Sequence, residues 1–385
     1  MNTRHIGLTM KEHFKFLISI LFFASSYLTS NCYALDPPPI TPIDEFFVQN
    51  SVGIPPVPGD WHLTVEGAVE TPLSLTLADL MTYPETTLMA TLECYHTSEV
   101  LIGNANWTGV SFQTIIDEAG PLGEAQSISI CALDGYCMHG LSLDDFLQRD
   151  DIILAYDMNE ETLPPEQGYP LRLVLPGSYG YQWMQWVDSI EFTTTSPTLP
   201  LKLFPARAKT FEPKGGDTIS RGTHTISGMA FGGGGIEIVK VDISTDDGAT
   251  WEPAQLLNYF VPNVWKFWEF EWVIPQDGEY EIFARAEDDL GYVQEEIFAI
   301  FGWRALGVRV SVSTCEGDFE SDGDVDGTDA VAFKQDFFRK NCAELTPCNG
   351  DFECDGDVDG TDAVMFKEDF FRKDCPSYEF TCSYE

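Results

Sequence analysis

The chain of 385 residues carries 62 Asp and Glu against 21 Lys and Arg, a formal net charge of −41. A surface of that sign repels phosphate backbones and acidic lipid, which excludes nucleic-acid binding and docking on anionic membranes. With 44% hydrophobic residues, 27 Phe, 14 Tyr and 9 Trp, the chain is not disordered, and its length allows two or three domains with cores of their own.

At the N-terminus Arg4, Lys11 and Lys15 precede an apolar run from Phe16 to Leu28, which closes near Cys32-Tyr33-Ala34. This order of charge, hydrophobe and small residue predicts a signal peptide over residues 1–34, cleaved after Ala34, and a periplasmic or secreted product. A lipid on Cys32 is the alternative. The run is short for a bilayer span and no other stretch approaches one, so the mature chain has no predicted membrane span. Export permits disulfides. Nine cysteines follow Cys32; six lie in the C-terminal tail, Cys131 and Cys137 can pair, and Cys94 is left over. A lone cysteine in an exported protein is a buried thiol, a ligand or a nucleophile.

Residues 35–60 are Pro-rich and read as an extended arm laid over a domain. From Trp61 to about Thr195, short strands (WHLTVEGAV, SISICAL) alternate with helical runs (LTLADLMTY, SLDDFLQR), the second starting at Ser142. This predicts an α+β domain over 35–200. Helical signals vanish over 201–306. There IEIVKVDIS, TWEPAQL, WEFEWVI and EYEIFARAEDD alternate with turns such as Asp247-Gly248 and Asp277-Gly278, as in an immunoglobulin-like sandwich. Tyr280, Ile282, Ala284 and Ala286 read as one inward strand face, and Gly232–Gly235 as a flexible turn. Residues 304–314 are a linker or a last strand; the linker reading sets 307–314 apart.

The tail, 315–385, repeats itself: GDFESDGDVDGTDAVAFKQDFFRKNC at 317–342 and GDFECDGDVDGTDAVMFKEDFFRKDC at 350–375. Carboxylates packed this densely repel one another unless a hard cation sits among them. Asp318, Glu320, Asp322, Gly323, Asp324, Asp326 and Asp329 fall at positions 1, 3, 5, 6, 7, 9 and 12 of a calcium loop. Asp351, Glu353, Asp355, Gly356, Asp357, Asp359 and Asp362 repeat the spacing. The predicted Ca²⁺ ligands are Asp318, Glu320, Asp322, Asp324 and Asp329, and then Asp351, Glu353, Asp355, Asp357 and Asp362. Equivalent positions suggest pairing of Cys315 with Cys342 and Cys348 with Cys375, leaving Cys354 with Cys382, one of fifteen arrangements open to six cysteines. The tail resembles the dockerin type of paired calcium loop, each followed by one helix, which implies a cohesin-like partner. Phe333 and Phe366 read as packing between the copies, with the more exposed aromatics open to that partner.

Four segments resemble the sulfite oxidase family of molybdopterin enzymes: EFFVQNSVGIPPVP (45–58), LMATLECYHTSEVLIGNANWTGVSF (88–112), LAYDMNEETLPPEQGYPLRLVLPGSYGYQWMQWVDSIEF (154–192) and TISGMAFGGGGIEIVKVDISTDDGATWEPAQL (225–256). The resemblance covers residues 40–303. It implies a molybdopterin domain followed by a dimerisation sandwich, hence a possible homodimer. It also implies Cys94 as the thiolate ligand of molybdenum, and Asn50, Gln167, Arg172, Ser178, Gln182 and Gln185 as contacts of the pterin and its phosphate. His96, two residues past Cys94, is a candidate for proton transfer, whereas His139 reads as an ordinary hydrogen-bonded polar residue. The chain departs from the family at Gln49-Asn50-Ser51, where Arg-Asn-His is usual, at Gln167 in place of His, and at Gln182 and Gln185 in place of basic residues. Losing the arm's arginine removes a fixed charge from the expected sulfite pocket and brings neutral sulfoxides and thioethers into range. The implied reaction is oxygen-atom transfer to or from a small sulfur or other oxo compound. With no C-x-x-C-H haem site and no dinucleotide fingerprint, electrons must pass to an external redox partner such as a cytochrome. The rival expectation is a non-catalytic secreted binding protein that keeps the fold without molybdenum and docks through its tail.

Overall fold

The computed structural model describes residues 38–375 except 51–52, 95–100, 275, 295–306, 313–316, 320–321, 343–347, 349 and 374. The predicted signal peptide, Ser51, His96, Cys315, Glu320 and Cys382 lie outside the described residues. Among those described, no helix is long and apolar enough to cross a membrane.

A mixed sheet and an antiparallel sheet enclose the core of the first domain. In one, strands Leu73–Leu75, Leu63–Gly67, Val187–Thr193, Ser127–Ala132 and Cys137–Ser142 lie side by side in that order. Leu63–Gly67 runs parallel to Val187–Thr193. The other orders Glu85–Glu93, Ile102–Ser111, Ile153–Met158 and Glu161–Thr162, with Arg172–Val174 also paired to Ile153–Met158. Ile153, Leu154, Ala155 and Tyr156 are all buried, so this strand reads as an unbroken apolar run because both of its faces are covered. The helix Leu143–Leu147 starts at Ser142 as expected, the Ser142 hydroxyl accepting from the Asp145 amide at 3.3 Å. A disulfide joins Cys131 to Cys137 across a hairpin.

The Pro-rich arm lies across this domain, and the GNANW segment explains how. Asn104 donates its side-chain amide to the Pro39 carbonyl at 2.9 Å, and its backbone exchanges bonds with Thr41. Phe46 is buried edge-on against Trp107. A β-carbon on Gly103 would fall 2.6 Å from the Phe46 ring, so glycine is what lets the arm seat. Trp107 is itself fully buried and donates to the Ala90 carbonyl.

The second domain is a sandwich. One sheet orders Arg207–Glu212, Gly222–Phe231, Lys266–Ile274 and Gln255–Leu256; the other orders Thr218–Ile219, Val308–Val312, Gly278–Asp288, Ile238–Ser244 and Glu252–Pro253. Ile282, Ala284 and Ala286 face inward, opposite Trp268 and Trp272. Val308–Val312 pairs with Gly278–Asp288, so the sandwich runs past residue 306, and residues 308–312 of the expected linker are one of its strands. Its alternation, with Val310 and Val312 buried, is that of an inner strand. The Gly232–Gly235 turn is packed rather than loose. The Gly233 amide donates to the Phe204 carbonyl at 2.8 Å, and a β-carbon there would lie 2.0 Å from the Gly177 carbonyl of the first domain.

In the tail the helices Gly327–Asp336 and Gly360–Asp369 follow the two loops. The copies complete each other: Phe338 donates to Val358 and Phe371 to Val325, each at 2.7 Å. Phe333 and Phe366 stack at 4.8 Å between them. The expected pairing of Cys315 with Cys342 and Cys348 with Cys375 is corrected, because Cys342 bonds Cys348. This bridge ties the end of the first copy to the start of the second. Cys354 and Cys375 are also in disulfides.

Gly233→Ala is expected to force the two domains apart and lower the melting temperature by several degrees. Differential scanning calorimetry checks this, and a variant melting with the wild type would contradict the packed-turn account.

Candidate active site

Cys94 follows directly on strand Glu85–Glu93, and its amide donates to the Leu101 carbonyl at 2.9 Å. Its thiol is free and half-buried. Glu93, the last residue of the strand, is 1% exposed and holds two cations of the second domain. Arg207 donates to one of its oxygens, and Lys209 Nζ lies 2.5 Å from the other. Burial lowers the Arg207 guanidinium to about 9. It also lowers Lys209 to about 7, helped by repulsion from Arg207 and opposed by the Cys94 thiolate. The strand end that carries Cys94 is therefore anchored to the sandwich by a buried triad. Thr91 adds to this joint: its amide donates to the Asn263 carbonyl, and its hydroxyl accepts from the Trp265 amide, both at 3.1 Å. On the other side, a β-carbon on Gly180 would lie 2.6 Å from the Glu93 carbonyl, so the predicted phosphate-binding segment presses on the same spot.

Arg172 forms a second focus. It is 3% exposed, lies 5.2 Å over the Trp107 ring and donates to both the backbone carbonyl (2.7 Å) and side-chain oxygen (3.0 Å) of Gln167. Gln167 in turn donates to the Phe47 carbonyl of the arm at 3.1 Å. No carboxylate pairs with Arg172 among the described residues, its Nε has no hydrogen-bond partner, and burial lowers it to about 9. A buried cation with no counter-ion is costly. An anionic group of a ligand would satisfy it.

The other predicted contacts are spent on backbone. Ser178 donates to Leu175 at 2.7 Å, Gln182 donates to Pro200 at 3.2 Å and accepts from Lys202, and Gln185 donates to Glu166 at 2.7 Å. Asn50 accepts from the Gly53 amide at 3.1 Å within the arm. His139 is exposed. Gln167, Arg172 and Gln185 gather on one side, because Gly168 brings Gln185 against the 165–168 turn. Ser178 and Gln182 flank Trp183 on the Gly180 side that meets Glu93. Tested against a pterin phosphate and a thiolate-bound metal, the residues fit at two points: an orphaned buried cation at Arg172 and a soft sulfur donor at Cys94. A cleft of about 720 Å³ also opens where Arg149 and Asp151 face Gly234 and Asn263, but none of the predicted cofactor residues lines it.

In the tail, Asp318 accepts from the Asp322 and Gly323 amides, and Asp351 from those of Asp355 and Gly356. Gly323 and Gly356 turn the loop with φ of 95° and 97°, a conformation that suits glycine. Carboxylate oxygens of Asp324, Asp326 and Asp329, and of Glu353, Asp359 and Asp362, converge within 4.8 Å. Lost solvation and then neighbouring carboxylates raise Asp324 and Glu353 above the usual range.

Residues 51–199 match the oxidoreductase molybdopterin binding domain, and residues 202–312 the Mo-co oxidoreductase dimerisation domain. The chain is 27% identical over 333 residues to sulfite oxidase of Gallus gallus, covering 70% of this chain and 71% of that one. To mitochondrial sulfite oxidase of Homo sapiens it is 27% identical over 343 residues, covering 71% of this chain and 62% of that one. The sulfane dehydrogenase SoxCD from Paracoccus pantotrophus shares the fold with a TM-score of 0.60 at 26% identity, over 71% of this chain and 79% of that one. The chain belongs with the molybdopterin oxidoreductases of the sulfite oxidase fold. Residues beyond 312 lie outside both family matches.

Glu93, Arg207 and Lys209 had no part in the sequence expectations. A signal was present: Glu93 closes the mostly apolar run 88–92 of its strand, and Arg207 and Lys209, two apart, share one strand face. Glu93→Gln leaves the buried Arg207 and the partly buried Lys209 facing a neutral amide and is expected to cost about 3–5 kcal/mol. Chemical denaturation measures this, and a loss below roughly 1 kcal/mol, the range of an exposed pair, would contradict it.

Proposed function

We propose that the chain is an exported molybdopterin-dependent oxidoreductase that moves an oxygen atom to or from a small sulfur or other oxo compound. The observation that carries this is Arg172, a buried cation with no counter-ion among the described residues, in a fold that also presents a free thiol at Cys94. When bound, the cofactor would supply a two-electron metal centre that exchanges oxygen with substrate. Cys94 would hold the metal, and its place on a strand end tied to both domains keeps the sulfur from drifting. Arg172, oriented by Gln167 and backed by Trp107, would hold the phosphate with Gln185 on the same side, while Ser178 and Gln182 would border the cofactor from the Gly180 side and Asn50 from the arm. His96 would be placed beside the metal ligand by sequence to move a proton. The sandwich would join two copies, and an external cytochrome would exchange electrons with the metal.

The tail is read as a calcium-loaded docking module. Convergent carboxylates and the glycine at loop position 6 support Ca²⁺. Phe338 and Phe371 support a partner of the cohesin type: they are 75% and 79% exposed and are held at positive φ, where a bulky side chain is strained. One observation favours a non-catalytic binding protein instead, namely that Gln182 and Gln185 are already satisfied by backbone.

Protein purified from a host that makes molybdopterin is expected to carry stoichiometric molybdenum by mass spectrometry and to lose it in Cys94→Ser. In Arg172→Met, cofactor retention should weaken by about 1.5–3 kcal/mol, the worth of a charged hydrogen bond. Metal-free wild-type protein from that host would favour the binding-protein reading. Calcium is expected to raise the tail's unfolding transition in the full chain, and Asp324→Asn with Asp357→Asn to abolish the rise. A transition that ignores calcium would remove it from the account.

A further inference from the structure

The cleft of about 720 Å³ between the first domain and the sandwich has no part in the cofactor reading. Met89, Leu201, Leu203, Val261 and Pro262 give it apolar walls, and its charged residues are Asp145, Arg149, Asp150 and Asp151. Arg149 donates to both oxygens of Asp151 at 2.8 Å and to the Pro176 carbonyl at 2.6 Å, and its third nitrogen is buried. That pair neutralises itself, so Asp145 and Asp150 give the cleft its negative sign. The apolar surface continues past the walls. Leu203 is 41% exposed, and Leu147, on the helix that carries Asp145, is 47% exposed. A small ligand held within the cleft would leave Leu147 bare, whereas a protein surface would cover it.

The cleft also reaches toward Cys94. Leu88 and Met89 line it from the strand Glu85–Glu93. In the opposite wall the Asn263 carbonyl accepts from the Thr91 amide at 3.1 Å. Thr91 stands three residues before Cys94, roughly 10 Å along an extended chain.

We propose that this cleft is the docking face for a basic protein, which sets apolar side chains between Leu203 and Val261 and lysines against Asp145 and Asp150. This gives the external redox partner of the proposed function a place to sit; it rests on that reading for the partner's role, not for the docking. The acidic rim steers a basic surface into the cleft, and burial of the apolar walls then holds it. A second copy of this chain is a poor occupant, because its net charge of −41 meets a rim of the same sign.

Cytochrome c, a small basic haem protein, is the probe. Its affinity for the full chain is measured calorimetrically at low ionic strength, with molybdenum content recorded for each sample. Asp145→Asn with Asp150→Asn is expected to weaken binding roughly three- to thirtyfold. Leu147→Ser should weaken it severalfold, and added salt should weaken the wild type. Glu66→Gln with Glu191→Gln, the same change of charge on exposed residues outside the cleft, should leave affinity within roughly twofold. Equal weakening by the two pairs would reduce the attraction to net charge and overturn the proposal, as would a wild type that binds no probe. Self-association of the wild type that vanishes in Asp145→Asn with Asp150→Asn would put a second copy in the cleft and also overturn it. Should that pair fail to fold, Asp150→Lys at an exposed position replaces it, and unaltered affinity there counts equally against the proposal. A chain without molybdenum that still binds through the cleft would support the docking and overturn the molybdopterin reading instead.

Discussion

One buried carboxylate joins the two larger domains at the place where chemistry is expected. Glu93 ends the strand that delivers Cys94 and accepts from Arg207 and Lys209 on the first strand of the sandwich. Removed from water, each of these charges would be costly alone; together they compensate, and the compensation exists only while the domains are docked. Thr91, Asn263 and the Gly177–Gly233 contact align the same joint through neutral groups. The thiol thus takes its position from both domains. Freedom in the joint would become misplacement of the sulfur, and small misplacements are expensive in catalysis.

Away from the joint, the first domain reserves a charge. Trp107 and Gln167 hold Arg172 in a dry setting where no acidic side chain among the described residues neutralises it. Folding tolerates such a group when a ligand later supplies the counter-charge, which couples cofactor binding to stability. The glutamines at 182 and 185 follow the opposite logic. Their amides are closed on backbone carbonyls, so they stiffen the segment around Gly180 without demanding a ligand. A site with one cation amid neutral, satisfied neighbours would hold a cofactor by few charged bonds.

Much of this was legible in the sequence because it depended on local pattern. Alternation at Ile282, Ala284 and Ala286 marked a sandwich strand, Ser142 marked a helix start, and the GNANW run with Cys94 pointed to the family. Three features were not legible, for a shared reason. The Glu93 triad joins residues more than a hundred positions apart. The Cys342–Cys348 bridge joins the end of one copy to the start of the next instead of pairing equivalent positions within a copy. The tight seat of Gly233 depends on a carbonyl of another domain. Each is a contact between distant segments, and periodicity within a segment carries no record of its partner. What could be read was the anomaly: a glutamate closing a mostly apolar stretch of strand, and two cations on one face of another.

The account stands or falls on where the metal sits. A crystal of the cofactor-loaded protein, measured on both sides of the molybdenum absorption edge, would show this without reference to turnover. An anomalous peak bonded to Cys94 Sγ, with the pterin phosphate reaching Arg172, is the predicted result. A Cys94 sulfur bridged to another cysteine, or a peak bound elsewhere with Arg172 still facing no anion, would contradict it.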